Sequence, residues 1–375
     1  LGGQTLTWTW RNPLPTGNNL SGIAYGNGQF VAVGDNGTIV ASADGVSWLR
    51  NESGTTNSFM GIAYGNGQFV AVGWDNPLSQ AAIMTSTNGV DWLQRPSGAG
   101  PLYGITYGNG RFVAVGWRVV VTSFDGVNWL ASSVDPISIV GTRLYGVAYG
   151  KGKLVAVGEL NNLASDVYPL LLTSADGANW VENQWSGVFD MLHGITYGNG
   201  QFVAVGSYYN GANYPYTSEI LTSTDGVNWV LRQSGITNGL SGIAFGNRLF
   251  VALGGGAILT STDGATWSQR ANAAAGYVDL SGVAYGNGHF VAVGQSGAIL
   301  ESGSLVTLSL TPAPGVGMLS LSLEGSTGLD YTIQMSTDLI SWQTLTNITS
   351  VQPTTVILDR LPARSDRVFY RAVSE

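Results

Sequence analysis

Small and large residues alternate along Gly22-Ile23-Ala24-Tyr25-Gly26, an Asn27-Gly28 pair follows, and the alternation resumes over Gln29 to Val33. Alternation of period two on both sides of a two-residue Asn-Gly turn predicts a β-hairpin, with a type I′ turn because both central residues need positive φ. A third strand is expected at Thr38 to Ser42, and a fourth from Trp48 after the turn Ala43-Asp44-Gly45. Within the first strand, Gly22 and Ala24 point to one face of the sheet and Ile23 and Tyr25 to the other. Sheets stacked face to face then set the large side of one against the small side of the next.

The unit recurs along the chain. Copies begin at Gly22, Gly61, Gly104, Gly146, Gly194, Gly242 and Gly282, successive starts lying 39 to 48 residues apart. A repeat of that length indicates a propeller or a solenoid, and four short antiparallel strands per unit select the propeller. The seventh copy ends at Ala298 to Ser302 without its turn and tryptophan. The missing strand is found near the N-terminus, where Trp8-Thr9-Trp10-Arg11 matches Trp92-Leu93-Gln94-Arg95, Trp229-Val230-Leu231-Arg232 and Trp267-Ser268-Gln269-Arg270. The predicted fold class is all-β: a seven-bladed β-propeller over residues 1–302, closed by an N-terminal strand at 5–12 that completes the last blade and removes exposed edges. Residues 303–375 break the period. Their short alternating strands predict a small β-sandwich of fibronectin III or immunoglobulin type.

The turns between third and fourth strands read SADGVSW, STNGVDW, SFDGVNW, SADGANW, STDGVNW and STDGATW. A side-chain oxygen at Asp44, Asn88, Asp125, Asp176, Asp225 or Asp263 can accept backbone N–H bonds from a tight turn, with the tryptophan buried beneath. Asn88 does this without charge, so the position is read as structural. A metal needs oxygen ligands converging on one point, whereas these residues are spread around the rim, and no metal site or cofactor is expected. The turns resemble the Asp-box of bacterial neuraminidase repeats, S-x-D-x-G-x-x-W, shortened by one residue between aspartate and glycine. The resemblance spans roughly residues 1–302 and implies a propeller. It does not imply one activity, because the family includes sialidases, other glycosidases, photosystem assembly factors and non-catalytic binding propellers. Sialidases of that family use an arginine triad preceded by an Arg-Ile-Pro-type motif, which this sequence lacks. Arg11, Arg95, Arg232 and Arg270 repeat at one outer-strand offset and are read as architectural. In the C-terminal segment, Tyr331-Thr332-Ile333-Gln334, Ser336-Thr337-Asp338-Leu339 with Trp342, and Phe369-Tyr370-Arg371-Ala372 resemble a module appended to large bacterial secreted and surface proteins, which implies a spacer, anchor or sorting role.

Composition narrows the class. The 54 glycines, about twice average usage, suit a turn-rich β-protein. Only 10% of residues are charged and there is no cysteine. A net charge of −8 argues against nucleic acid, which needs clustered lysine and arginine. No apolar run is long enough to span a bilayer as a helix. The low-charge surface, rich in threonine, asparagine and glycine, predicts a secreted or cell-surface bacterial protein. A start at Leu1 fits a removed signal peptide, and equally a start set elsewhere.

Function is sought where the repeats disagree, on the end opposite the Asn-Gly hairpins and the Asp-type turns. The candidate ligand-binding residues there are Trp74 and Asp75 in the second unit, Trp117 and Arg118 in the third, and Glu159 in the fourth. The fifth unit adds Tyr208, Tyr209, Tyr214 and Tyr216, and the connections add Trp185 and Tyr277. A second set precedes each repeat glycine: Ser21, Met60, Tyr103, Tyr145, His193, Ser241 and Ser281, expected to ring the mouth of a central channel. His289, which replaces a hairpin glutamine, is expected to be exposed. Glu159, Asp166 and Asp190 are the carboxylates open to glycoside hydrolysis, which requires a spaced pair; no residue is assigned a catalytic role. The favoured function is an extracellular, non-catalytic binding or adhesion protein with a glycan or surface-protein ligand. The alternatives are a self-assembling surface or filament component, and a glycosidase or lyase of sialidase-like fold.

Overall fold

The computed structural model describes residues 6, 8–75, 80–96, 98–132, 141–161, 167–183, 191–209, 216–270, 278–303, 307–312, 318–324, 330–338, 341–349, 354–360 and 368–374. The chain divides into two compact units. The larger is Trp8–Gly286 with Val291–Glu301; the smaller is Ser302–Glu375 with Leu1–Thr7 and Asn287–Phe290.

Among the described residues, the repeats form seven four-stranded antiparallel sheets. In the first, Leu20–Gly26, Gln29–Gly34, Ile39–Ser42 and Leu49–Asn51 follow one another in order. The hairpin turn has Asn27 at φ 48 and Gly28 at φ 75, the type I′ geometry that the Asn-Gly pair favours. The last sheet runs Trp8–Trp10, Ile299–Ser302, His289–Gly294, Leu280–Gly286, so its outermost strand comes from the other end of the chain. Arg11 fixes that strand with an ion pair to Glu301 and a 3.0 Å bond from its backbone N–H to the Ile299 carbonyl.

Sheets meet through one repeated contact. The ring of Tyr64 lies so close to Gly26 that a Cβ there would sit 2.0 Å from Tyr64 Cγ. The same relation, at 2.0 to 2.3 Å, joins Gly65 to Tyr107, Gly108 to Tyr149, Gly150 to Tyr197, Gly198 to Phe245, Gly246 to Tyr285 and Gly286 to Tyr25. Large does meet small across each interface, but through the glycine that follows the aromatic. Five of the rings also pack on a buried phenylalanine of their own sheet, as Tyr25 does on Phe30 with centroids 4.7 Å apart, while Tyr149 has Leu154 in that place. The core clusters accordingly run across sheets: Val31, Val33 and Ile39 of the first pack with Phe59, Phe69 and Met84 of the second.

The Asp-type turns form one hydrogen-bond pattern. Asp225 Oδ1 accepts from the backbone N–H of Val227 and of Asn228, each at 2.8 Å, and Trp229 Nε1 donates to the Gly226 carbonyl at 3.1 Å. Asp225 Oδ2 accepts from Asn228 Nδ2 at 2.8 Å. In the second copy the pair is exchanged: Asn88 Nδ2 donates to Asp91 Oδ2 at 2.8 Å, while Asn88 Oδ1 still accepts from Val90 and Asp91. Amide and carboxylate trade places and the turn survives. Neighbouring sheets are stapled at the same end, where Gln29 donates to the Asn88 carbonyl (2.7 Å), Gln68 to Asp125 (2.6 Å), Lys153 to Asp225 (3.1 Å) and Gln201 to Asp263 (2.6 Å). Arg95, Arg232 and Arg270 each donate Nε to a threonine of the adjoining strand, at 2.7 to 3.0 Å, as architectural residues do.

His289 departs from expectation. It is buried, and its Nδ1 lies 3.0 Å from the Asn287 carbonyl of its own hairpin. The segment Asn287–Phe290 belongs to the same compact unit as Ser302–Glu375, a grouping that the repeat pattern does not reveal.

Among its described residues, that smaller unit holds two three-stranded sheets: Thr307–Pro312, Met318–Glu324 and Thr354–Arg360 in one, and Gln343–Thr349, Asp330–Ser336 and Phe369–Ser374 in the other. Leu321, Leu323, Tyr331 and Ile333 form its core. Its turn at Asp338 repeats the bonding of the larger unit, with Ser336 Oγ and the Ser341 N–H both donating to Asp338 Oδ1.

The turns carry a pH dependence. The Thr266 and Ala265 N–H groups hold the Asp263 carboxyl at about 2, below its ordinary 3.8, although burial opposes this. Asp125, Asp176 and Asp225 are depressed further by the same kind of bonding. A depressed carboxyl contributes stability in full above its unfolded value and loses it as pH falls through the folded value. The melting temperature is therefore expected to fall as pH drops from about 4 towards 2, by an amount that solvent screening of these exposed groups keeps modest. Asp263→Asn, which copies Asn88, should lose less over that window than the parent. Equal losses in a calorimetric pH series would show that the turn carboxylates are not responsible.

Candidate functional site

In five of the seven sheets the residue before the repeat glycine is set apart by a β-bulge. Leu20 pairs with Gly34 and Gly22 with Val33, so Ser21 is skipped in the register. The same shift skips Met60, Tyr103, Tyr145 and His193. A bulge re-aims its extra side chain. It also lets Leu20 and Ile23, three residues apart, enter one core cluster. With Ser241 and Ser281, these residues line one cavity of about 200 Å³, together with the repeat glycines and the Ile or Val that follows each of them.

The cavity is lopsided. On consecutive sheets, Trp74 lies edge-on to Tyr103 with centroids 5.9 Å apart, Tyr103 to Tyr145 is 5.5 Å, and Tyr145 to His193 is 5.4 Å. Ser241, Ser281 and Ser21 occupy the facing arc. Behind the aromatic arc, the buried Glu159 accepts at Oε1 from Arg143 Nη1 (2.7 Å) and from the Tyr145 hydroxyl (3.0 Å). Burial, and then the Glu159 charge, push the Tyr145 phenol well up. Burial also raises Tyr103, opposed by Arg143. His193, with Nε2 3.3 Å from Ser207 Oγ, is lowered by burial while Glu159 pulls the other way, so its imidazole is neutral at pH 7.

Arg143 is the residue that sequence reasoning passes over. Counting back from the turn where Gly150 pairs with Lys153, an unbroken hairpin would set Leu144 opposite Glu159. The bulge at Tyr145 shifts the register by one and places Arg143 there instead. A repeat can show where the odd residue stands, but not that the count changes across it.

The remaining candidates are dispersed. Trp117 is exposed and bridges to Arg143 across sheets, and Arg118, at φ 55, donates its N–H to the Thr142 carbonyl. These two therefore flank the aromatic arc. Asp75 closes its own loop, with Oδ1 2.6 Å from the Gln80 nitrogen. Tyr208 is half-buried on Gln201–Tyr209, where Tyr209 pairs in register with Tyr216. Trp185, Tyr214 and Tyr277, and the carboxylates Asp166 and Asp190, lie outside the described residues. No group of three metal-ligating side chains occurs among the described residues. A second depression, of about 530 Å³, lies between Asn36-Gly37 and Arg50 to Thr56. It carries no buried charged side chain.

No family model and no curated protein matches the sequence. Solved structures do. YCF48 bound to D1 peptide is 19% identical, with a TM-score of 0.60 over 80% of this chain and 97% of that one. A catalytically inactive virginiamycin B lyase from Staphylococcus aureus with quinupristin is 12% identical, with a TM-score of 0.64 over 79% and 99%. A streptogramin B lyase gives 12% and 0.64 over 80% and 98%. These are β-propeller proteins, and the larger unit of this chain has the β-propeller fold. No helix among the described residues is long and apolar enough to cross a membrane.

The electrostatics of the arc can be read directly. With only two histidines in the chain, the NMR titration of His193 is readily assigned. Its pKa should lie below the ordinary 6.5, and Glu159→Gln, which removes the group that raises it, should lower it further. An upward move in Glu159→Gln would contradict the arrangement.

Proposed function

We propose that the chain is a non-catalytic extracellular binding protein whose frame is a closed seven-bladed propeller of Asp-box type. Its ligand, a glycan or an exposed segment of a surface protein, sits at the bulge-lined cavity. The observation that carries this reading is the run of Trp74, Tyr103, Tyr145 and His193 along one arc of an otherwise uniform frame. Aromatic rings with a polar tip serve both to stack on a flat ligand and to anchor a partner. Closure is supported by the pairing of Trp8–Trp10 with the last sheet and by the contact of Gly286 with Tyr25. The domain division at 302/303, the fibronectin III-like character of the C-terminal module, and secretion or surface location belong to the same proposal. One structural neighbour is described as bound to a peptide, which supports a protein segment as the second ligand class for this frame.

Self-assembly has one observation in its favour. Leu49, Leu93, Leu130, Val181 and Val230 stand at the same position on successive outermost strands and are 49 to 75% exposed. The hydrolytic reading is weaker, because the buried carboxylate of Glu159, behind the cavity, already accepts from Arg143 and Tyr145 at a single oxygen. Two measurements on the full chain separate these readings. Light scattering should give a monomer; fibres or sheets would favour assembly. An array of glycans and of surface-protein peptides should yield a ligand whose binding weakens at least about tenfold, or 1.4 kcal/mol, in both Trp74→Ala and Tyr145→Ala. Binding indifferent to both changes would remove the site.

A further inference from the structure

The cavity has two chemically different halves and no net charge. Tyr103, Tyr145 and His193 follow one another on three sheets, and Ser241, Ser281 and Ser21 on the next three, with Met60 completing the ring. Every one of these side chains is neutral at pH 7. The single ion pair nearby is internally satisfied, since Arg143 holds Glu159 at 2.7 Å. Two residues further along each strand stands an isoleucine or valine, from Ile23 round to Val283, so an apolar ring lies beneath the polar rim. The volume, about 200 Å³, is below the roughly 300–1,000 Å³ of pockets that enclose a drug-sized ligand. It suits one ring-sized group.

We propose that this cavity recognises the uncharged terminal sugar ring of a glycan, entering end-on with its apolar face on the tyrosine arc and its hydroxyls towards the three serines. The inference rests on the binding reading above and narrows it to a substrate class. A phenylalanine side chain would satisfy the tyrosines but leave the serine hydroxyls facing a group that neither donates nor accepts, and a tyrosine or tryptophan would bring one polar tip to three hydroxyls, at the cost of their lost hydration. An acidic sugar would bring a second carboxylate beside Glu159, whose guanidinium partner Arg143 is already engaged, on a chain of net charge −8. The apolar ring beneath the rim gives a polar chain no favourable path onward, so the end of a glycan is preferred over its interior.

Calorimetric titration of the full-length protein with methyl glycosides of glucose, galactose, mannose and N-acetylglucosamine, and with sialyllactose, tests this. At least one neutral glycoside should bind saturably, with an affinity that changes less than about twofold between low and high salt, because no ion pair forms. Tyr145→Ala should weaken binding at least tenfold. Ser241→Trp, at an exposed rim position, should abolish it by filling the mouth while leaving the melting temperature unchanged. Preference for the sialylated ligand, neutral-sugar binding untouched by either variant, or no saccharide binding at all would each overturn the inference. The broader reading would survive the first of these, and would survive the last if a protein segment still bound in a Tyr145-dependent way.

Discussion

The larger unit depends on seven places where the absence of a side chain admits an aromatic ring from another sheet. Gly26 receives Tyr64, and the series continues sheet by sheet until Gly286 receives Tyr25. A methyl group at any of these glycines would fall within 2.0 to 2.3 Å of a ring carbon, with both partners on regular strands that have no slack. Overpacking of this kind costs typically 1–3 kcal/mol and sometimes more. The aromatic on the other side contributes its large apolar area to the cross-sheet cores. The Asp-type turns and the glutamine staples act at one end of the same interfaces, holding in register sheets that the glycine–ring contacts have already placed.

Because the frame is specified by contacts repeated seven times, the bulged residue at the rim is released from it. Ser, Met, Tyr and His all occur there, and the strand on either side is unaffected. The three larger polar rings fall on adjacent sheets and touch, so that a buried carboxylate and a guanidinium behind them are enough to bias one arc. Burial does the rest: it keeps Tyr145 protonated and His193 neutral, leaving a surface of rings and hydroxyls rather than of charges. Such a surface favours recognition by shape and hydrogen bonding over long-range steering.

Most of the frame was legible in the sequence because its rules are local. Asn27-Gly28 announces its turn, the Ile23/Tyr25 alternation announces its faces, and the unmatched Trp8-Thr9-Trp10-Arg11 announces its partner strand. The seven rim residues could also be found, as the places where the repeat varies next to an invariant glycine. What could not be read was the bulge, since one skipped pairing leaves no mark on composition or period, and with it went the Arg143–Glu159 pair. Counting an unbroken hairpin assigns Glu159 the wrong neighbour. His289 was misjudged for another reason: it stands where other copies carry a hairpin glutamine, yet here the side chain is buried, with its Nδ1 3.0 Å from the Asn287 carbonyl. The loops of the fourth and fifth units, where Asp166 and Tyr214 stand, follow no repeat at all.

The separation of frame from rim is tested most directly within one strand of the sixth sheet, Gly242–Gly246, and the residue that precedes it. Equilibrium urea unfolding of Gly246→Ala, where the new methyl would lie 2.0 Å from Tyr285 Cγ, should show a loss of about 2 kcal/mol or more. Ser241→Ala, at the rim, should stay within about 0.5 kcal/mol of the parent. Equal losses at the two positions, or a neutral Gly246→Ala, would contradict a frame built on the glycine–ring contact.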